Sequence, residues 1–584
     1  MPFRSPRARI AMIVCVLLWA LLGFISWSAI QTKGATLDER EHALVGWFAF
    51  HQHDYRLYDS NPVLWEYWIA LPTSGDAVRF EASAPAYQHI LPGPLGRFTK
   101  YVDYAQLLER GRRMSLCLSV LLAMLITLWS WQLAGPLAAV VATFFFCLDP
   151  NIIGHAALVK NDIACSLFYA GAAYMLWLCG RRLNYMRVVL LAIFTAGAML
   201  MKFSGLVIAP VLVLVLVIRA MSRAPWRILN HSISRRPIKL AAAMAASWLI
   251  FATTYSLIWF SYGFRFTAGP HGMTLSMRPY IDDMAAFDFE RTTHHKASAE
   301  EIAAWRPPLS TRAILFAERN RLIPQAFAGG LLDTQWANFG DRQGFLLRHF
   351  YDGGKWYYFP LAAVFKEPLA MLVAAIGGLF ICIRRWRSWA GVCFLFPAGA
   401  FAVTALMSQV NFGYRHIFPV LPFVFIAMGV ASIKVFPLRA GRLALLVLGA
   451  ALLAETAGAF PDYIAFFNVA SAPRRLELLA NSNLDWGQDL PLLAQWQHDH
   501  PGALLYLFYY GGDDPLDYGL RFIDLRNSSA VPPEPGREAV LAISATSLQF
   551  AKFNSATTDF LGVNISRPPI AILGGTIYLF PVAN

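Results

Sequence analysis

Stretches of about twenty apolar residues recur along the chain, broken by short basic loops. Such runs match the thickness of a hydrocarbon core, about 20 residues per helical span. They leave little room for a water-soluble fold. Eleven can be drawn, at roughly 10–30, 114–133, 136–149, 162–180, 187–202, 204–220, 240–261, 357–383, 389–409, 416–433 and 443–460. Composition agrees: 57% of the 584 residues are apolar and only 15% are charged, against about 25% in a soluble protein. A cytosolic globular enzyme and a disordered chain are excluded. The expected class is a polytopic α-helical membrane protein.

The formal net charge of +13 is the footprint of nucleic-acid binding only if it forms a patch. It does not. Residues 1–9, 181–187, 219–239, 384–387 and 434–442 hold 18 Lys and Arg and no Asp or Glu, and the 31 basic residues elsewhere meet 36 acidic ones. With the amino terminus inside, the eleven spans put all five stretches on the cytoplasmic side, as the positive-inside rule requires. Nucleic acid is therefore not an expected partner. The first run lacks a small-x-small cleavage site and reads as a retained span.

The opposite face receives the loop 31–113, the turn 150–161, the loop 262–356, the turn 411–415 and the tail 461–584. Chemistry is expected there. The tail reads as a small α/β domain, helical over 485–499, with strands at 504–510, 539–545 and 576–582. The domain division is thus 1–460 in the membrane and 461–584 outside it. All seven Cys lie in apolar runs, so neither a disulfide framework nor a Cys metal site is expected.

Asp38 and Glu39 follow the first span closely. Adjacent carboxylates at a membrane face suit the removal of a proton from an acceptor hydroxyl. They equally suit the first turn of any helix. Asp162 enters the fourth span, where an ionised acid is costly unless functional or paired; Lys160 and His155 are near enough in sequence to pair with it. Lys202, Lys366, Arg415 and His416 sit at outer span ends, where a cation can bind phosphate or simply snorkel. His51-x-His53-Asp54 has ligand-like spacing, but on a helix its two histidines diverge. No inverted repeat or Gly-rich phosphate loop is visible.

The first-loop pair Asp38-Glu39 and six later segments carry a family resemblance. In order the segments are HDYRLYDSNPVL, DPNIIGHAALVKND, MKFSGLVIAP, WYYFPLAAVFKEPL, NFGYRHIFPVLP and SNLDWGQDL. The chain resembles the polyprenyl-phosphate-sugar-dependent glycosyltransferases of the GT-C fold. That group holds protein O-mannosyltransferases, the lipid A aminoarabinose transferase and a bacterial phospholipid-carrier-dependent subgroup. The resemblance implies a GT-C fold of about eleven transmembrane helices, with a polyprenyl-phosphate sugar as donor and a protein, lipid or glycan as acceptor. It implies Asp38 as base, Glu39 beside it and Asp162 as second acid. The carrier phosphate would meet basic residues on that face, with Lys202, Lys366, Arg415 and His416 as candidates. No cofactor is required for a donor with so good a leaving group, although a divalent metal is not excluded. A bacterial inner membrane, with the site facing the periplasm, is the expected location.

Three departures stand out. The family's HPPL reads Asn61-Pro62-Val63-Leu64, the usual Gly-Gly-Pro before the tail reads Ser471-Ala472-Pro473 after Ala470, and His53 replaces a turn Gly. A lipid-linked sugar flippase is the main alternative, and an inactive assembly subunit a third. Asp485 and Trp486 of SNLDWGQDL are expected to cap the tail's first helix.

Overall fold

A computed structural model of the chain describes residues 5–57, 61–79, 102–340, 342–526, 538–553 and 559–582. Among these, eight helices are long and apolar enough to cross a membrane, beginning with Pro6–Ile30 and ending with Arg439–Gly458. The chain is an integral, multi-pass membrane protein. Every expected run contains a helix, yet three fall short of a full span. Pro136–Cys147 bends by 67° into Pro150–Ala156, Tyr185–Met201 has 17 residues, and the apolar part of the eighth run is Leu369–Ile381. Eight of the eleven expected runs thus hold such a helix, or nine with the bent pair counted as one, and the count of eleven is not confirmed among the described residues.

The reason is local. Asp149-Pro150 interrupts the third run, Lys202 the join of the fifth and sixth, and Glu367-Pro368 the eighth. Proline removes a helical donor and clashes with the preceding turn. An ionisable side chain has to find a partner at such a break. Non-helical backbone at membrane depth is tolerated where it is buried in protein or lines a cavity, and these breaks lie together. Asn151 Nδ2 donates to the Lys366 carbonyl at 2.8 Å, and Lys202 pairs with Asp162.

The first loop is helical at Glu39–Trp47 and Val63–Ala70. The second large loop contributes four helices, of which Gln325–Phe339 packs against the Lys202 turn. The tail holds a five-stranded sheet in the order Ile523–Asp524, Leu504–Phe508, Ala539–Ser544, Ile577–Pro581, Ala571–Leu573. The first three strands are mutually parallel; Ile577–Pro581 runs antiparallel to both its neighbours. Ala539–Ser544 is buried at every position, as its unbroken apolar run suits a central strand. The tail is not a loose appendage. One apolar cluster runs from Phe418 and Phe467 through Leu484 to Tyr506 and Leu541.

Asp485 and Trp486 do not cap the helix expected over 485–499. That helix starts at Leu490, with Asp489 at its N-cap making no side-chain cap bond. Asp485 instead accepts from the Gly487 and Thr546 amides at 3.1 and 2.9 Å.

Candidate active site

The cavity lies where the helix breaks, the first loop and the tail meet. It measures about 610 Å³ and is lined by Asp38, Lys160, Lys202, Arg415, His416 and Trp486 among others. Pockets of about 300–1,000 Å³ hold small ligands, so a sugar phosphate fits.

Asp38 is the N-cap residue of Glu39–Trp47 and makes no cap hydrogen bond with its side chain. Its carboxylate faces the cavity instead. Oδ2 accepts from Lys160 Nζ at 2.6 Å and lies 3.7 Å from an Arg415 guanidinium nitrogen. Burial would raise this carboxyl, but the Lys160 and Arg415 charges outweigh it and hold Asp38 well below the usual carboxylate range. It is ionised and oriented at neutral pH.

Asp162 opens the helix Asp162–Arg181 just behind the cavity wall. Its pairing differs from the expectation: Lys160 goes to Asp38, and His155 turns elsewhere, its Nδ1 bonding the Asn151 carbonyl at 2.8 Å. Asp162 holds Lys202 and, at 3.0 Å, Arg415. Two carboxylates thus fix three cations at one wall. His416 lines the same wall, and its buried Nε2 has no hydrogen-bond partner among the described residues.

Three expected site residues do not line the cavity: Asp162, just behind its wall, Glu39 and Lys366. Glu39 is fully buried, accepting from Arg112 at 3.0 and 2.8 Å and from the Thr36 and Val159 amides at 2.9 Å each. Burial opposes its charge, and the Arg112 charge prevails, lowering its pKa. Its position fits a clamp: it ties the loop carrying Asp38 to the loop carrying Lys160. Lys366 is also buried, and its Nζ donates to the carbonyls of Asn483 and Ile464 at 2.7 and 3.0 Å. It closes a helix break onto the tail and does not line the cavity.

The role of SNLDWGQDL emerges from its partners. Trp486 and Gln488 carbonyls accept from Leu37 and Gly34 amides at 2.9 and 2.8 Å, so this segment aligns the backbone leading to Asp38. The Trp486 ring lies under the Arg415 guanidinium, 4.3 Å from the ring centre, and Ser482 Oγ accepts from Arg415 Nε at 3.2 Å. One short segment therefore positions both the acid and the cation opposite it.

Three lining residues carried no clear sequence signal. Lys160 was legible only as a partner for Asp162. Asp333 and Arg342 come from the large second loop, where no motif marks them. Asn61, where the resemblance leads one to expect His, also reaches the cavity, and accepts from Asn161 Nδ2 at 2.6 Å. The substituted position keeps a polar link to the Lys160 loop. Among the described residues, no three His, Cys, Asp or Glu side chains are grouped to hold a metal ion. His51 Nε2 bonds the Thr73 hydroxyl and Asp54 pairs with Arg56.

No family model and no curated protein matches the chain. Solved structures do. ArnT from Cupriavidus metallidurans in the apo state aligns at 13% identity and a TM-score of 0.40, over 97% of both chains. The same protein bound to undecaprenyl phosphate gives 0.42. The oligosaccharyltransferase of Archaeoglobus fulgidus aligns at 14% identity and 0.41, over 84% of this chain and 58% of its own. The chain thus spans little more than half of that protein's length. Likenesses of this size assign no activity; the residues of the cavity have to do that.

Proposed function

We propose that the protein is a GT-C glycosyltransferase, moving a sugar from a polyprenyl-phosphate carrier to an acceptor outside the cytoplasm, by one inverting displacement. One observation carries the reading: an ionised, oriented Asp38 and three fixed cations face the same sugar-sized cavity. A base without a phosphate cradle, or a cradle without a base, would not serve this chemistry.

The sugar lies in the cavity with its phosphate against Lys202 and Arg415. Asp38 removes the proton from an acceptor hydroxyl or amine as that atom attacks the anomeric carbon. The bond to the carrier oxygen breaks, and its electron pair stays on the phosphate, where fixed cations stabilise the growing charge. Such preorganised electrostatics commonly contribute more to catalysis than any other effect. No cofactor enters this scheme. The donor would be a bacterial lipid-linked sugar, the acceptor a protein, lipid or glycan, and the location the inner membrane with the cavity facing the periplasm.

The test uses purified protein in lipid, a panel of radiolabelled polyprenyl-phosphate sugars and a membrane extract as acceptor. Wild type should transfer one label, and Asp38→Asn should lose about 10²–10⁴-fold in rate while remaining folded. Label that crosses the bilayer equally well with both proteins, with no donor consumed, would make the protein a flippase.

A further inference from the structure

Lys160 stands in an unusual position between the base and the place for the leaving group. The loop that carries it is held at both neighbouring residues, Val159 and Asn161. Glu39 holds the Val159 amide at 2.9 Å, Asn161 Nδ2 reaches the Met201 carbonyl at 2.9 Å, and the same Nδ2 reaches Asn61. An ammonium has three N–H donors. One goes to Asp38 at 2.6 Å and one to His42 Nε2 at 2.8 Å. The third has no partner among the described residues, and the side chain lines the cavity.

His42 supplies the acceptor that makes this arrangement work. It is fully buried, and its burial, with the Lys160 charge adding to it, lowers its pKa well below the usual value. The ring is neutral, with a lone pair on Nε2. Behind it, Glu66 lies 3.6 Å from Nδ1, buried and pushed well above the usual carboxyl range by that burial. The remaining charges nearby are Glu41, raised to about 7 by burial and the Asp38 charge, and Asp333 and Arg342, which add one charge of each sign to the lining.

We propose that Lys160 is a further catalytic residue, shared between the base and the leaving group: it holds Asp38 until the donor phosphate takes its third N–H, and follows the negative charge to the phosphate as the glycosidic bond breaks. This rests on the glycosyl-transfer reading. The balance of charge supports it. Three cations and two carboxylates leave one surplus positive charge, which a singly charged phosphodiester neutralises. During transfer the acceptor's proton goes to Asp38, which becomes neutral. The carbon–oxygen bond to the carrier breaks, the new bond to the acceptor forms, and the phosphate becomes a monoester with a second negative charge. The charge lost at Asp38 reappears on the phosphate in the same cavity, and the cavity stays neutral throughout. A cation facing both sites lowers the energy of that shift. It also makes Asp38 a stronger base only once a phosphate competes for Lys160.

The test measures binding of geranylgeranyl phosphate, with geranylgeraniol as the uncharged control, to wild type, Asp38→Asn and the double variant Asp38→Asn/Lys160→Gln. The double variant leaves neither partner charged and unpaired, so it should fold. Asp38→Asn should bind the phosphate several-fold more tightly than wild type, because Lys160 loses its competitor. The double variant should lose that gain and bind about tenfold or more weakly than Asp38→Asn. Equal phosphate affinity in Asp38→Asn and the double variant would overturn the proposal and leave Lys160 a counterion. Wild type that transfers no sugar and binds the phosphate no better than the alcohol would instead overturn the glycosyl-transfer reading itself.

Discussion

Asp38 owes its charge to its neighbours, and that dependence can be measured. In the proposed mechanism transfer requires ionised Asp38, so activity should fall as pH drops through its folded pKa. In wild type this acid limb lies well below the usual carboxylate range, because Lys160 and Arg415 outweigh burial. Lys160→Gln removes the larger of those two charges and leaves the burial. Its acid limb should shift upward, towards or beyond the ordinary Asp value of about 3.9, in a pH–rate profile of transfer. The sign for stability is the same. A depressed carboxyl contributes stability above its unfolded pKa and loses it as pH falls through the folded one. Glu39 makes a different prediction. Removing one partner of a buried pair leaves the other charge uncompensated, typically at a cost of about 3–5 kcal/mol. Glu39→Ala strands Arg112 and frees the Val159 and Thr36 amides, so thermal unfolding should show a loss of that size. A stability close to wild type with activity abolished would make Glu39 a chemical participant instead.

At the scale of elements, the breaks in the helices build the site. Lys202 turns out of a helix because Gly205 lets the following turn close on the Ala198 carbonyl, where a Cβ would lie 2.1 Å from that oxygen. Gly413, two residues before Arg415, has the same function toward the tail: a Cβ there would lie 2.2 Å from Ser482 Oγ. Gly413→Ala should therefore cost about 1–3 kcal/mol, as overpacking does, and draw Ser482 away from Arg415. The melting temperature should fall, and Ser482→Gly in the same chain should recover most of it. Much of this was legible in the sequence. Asp162 and Lys202 stand out because charge is rare in apolar runs, Asp38 as one of two adjacent carboxylates just past the first span, and Arg415 as a cation at an outer span end. What hid Lys160 is that sequence distance favours Asp162, two residues away, while the structure puts Lys160 in a loop and Asp162 at the start of a helix turning elsewhere. Lys366 misled for the opposite reason. A Lys at a span end looks available to phosphate, yet here tail carbonyls absorb it. The expected spans outnumber the full-length helices at the breaks because hydropathy continues across a Pro or Lys that the helix does not.

At the scale of the whole molecule, membrane bundle and tail form one working unit. The backbone leading into Asp38 is hydrogen-bonded to the tail, and Arg415 rests on a tail tryptophan. Tail and basic loops should accordingly face opposite sides of the membrane. In right-side-out vesicles, a membrane-impermeant maleimide should label His498→Cys without lysis and Arg227→Cys only after it, measured against the unsubstituted chain. Labelling of both from one side would contradict the topology. The central claim is that one cavity joins an Asp base to a phosphate cradle for a single displacement. Its most direct test is a single-turnover reaction in lipid nanodiscs, with the cognate donor and acceptor, that follows release of the polyprenyl phosphate in wild type and Asp38→Asn. The account predicts release in step with product formation in wild type, and both slowed together by about 10²-fold or more in the variant. Release that proceeds in Asp38→Asn at the wild-type rate would contradict it.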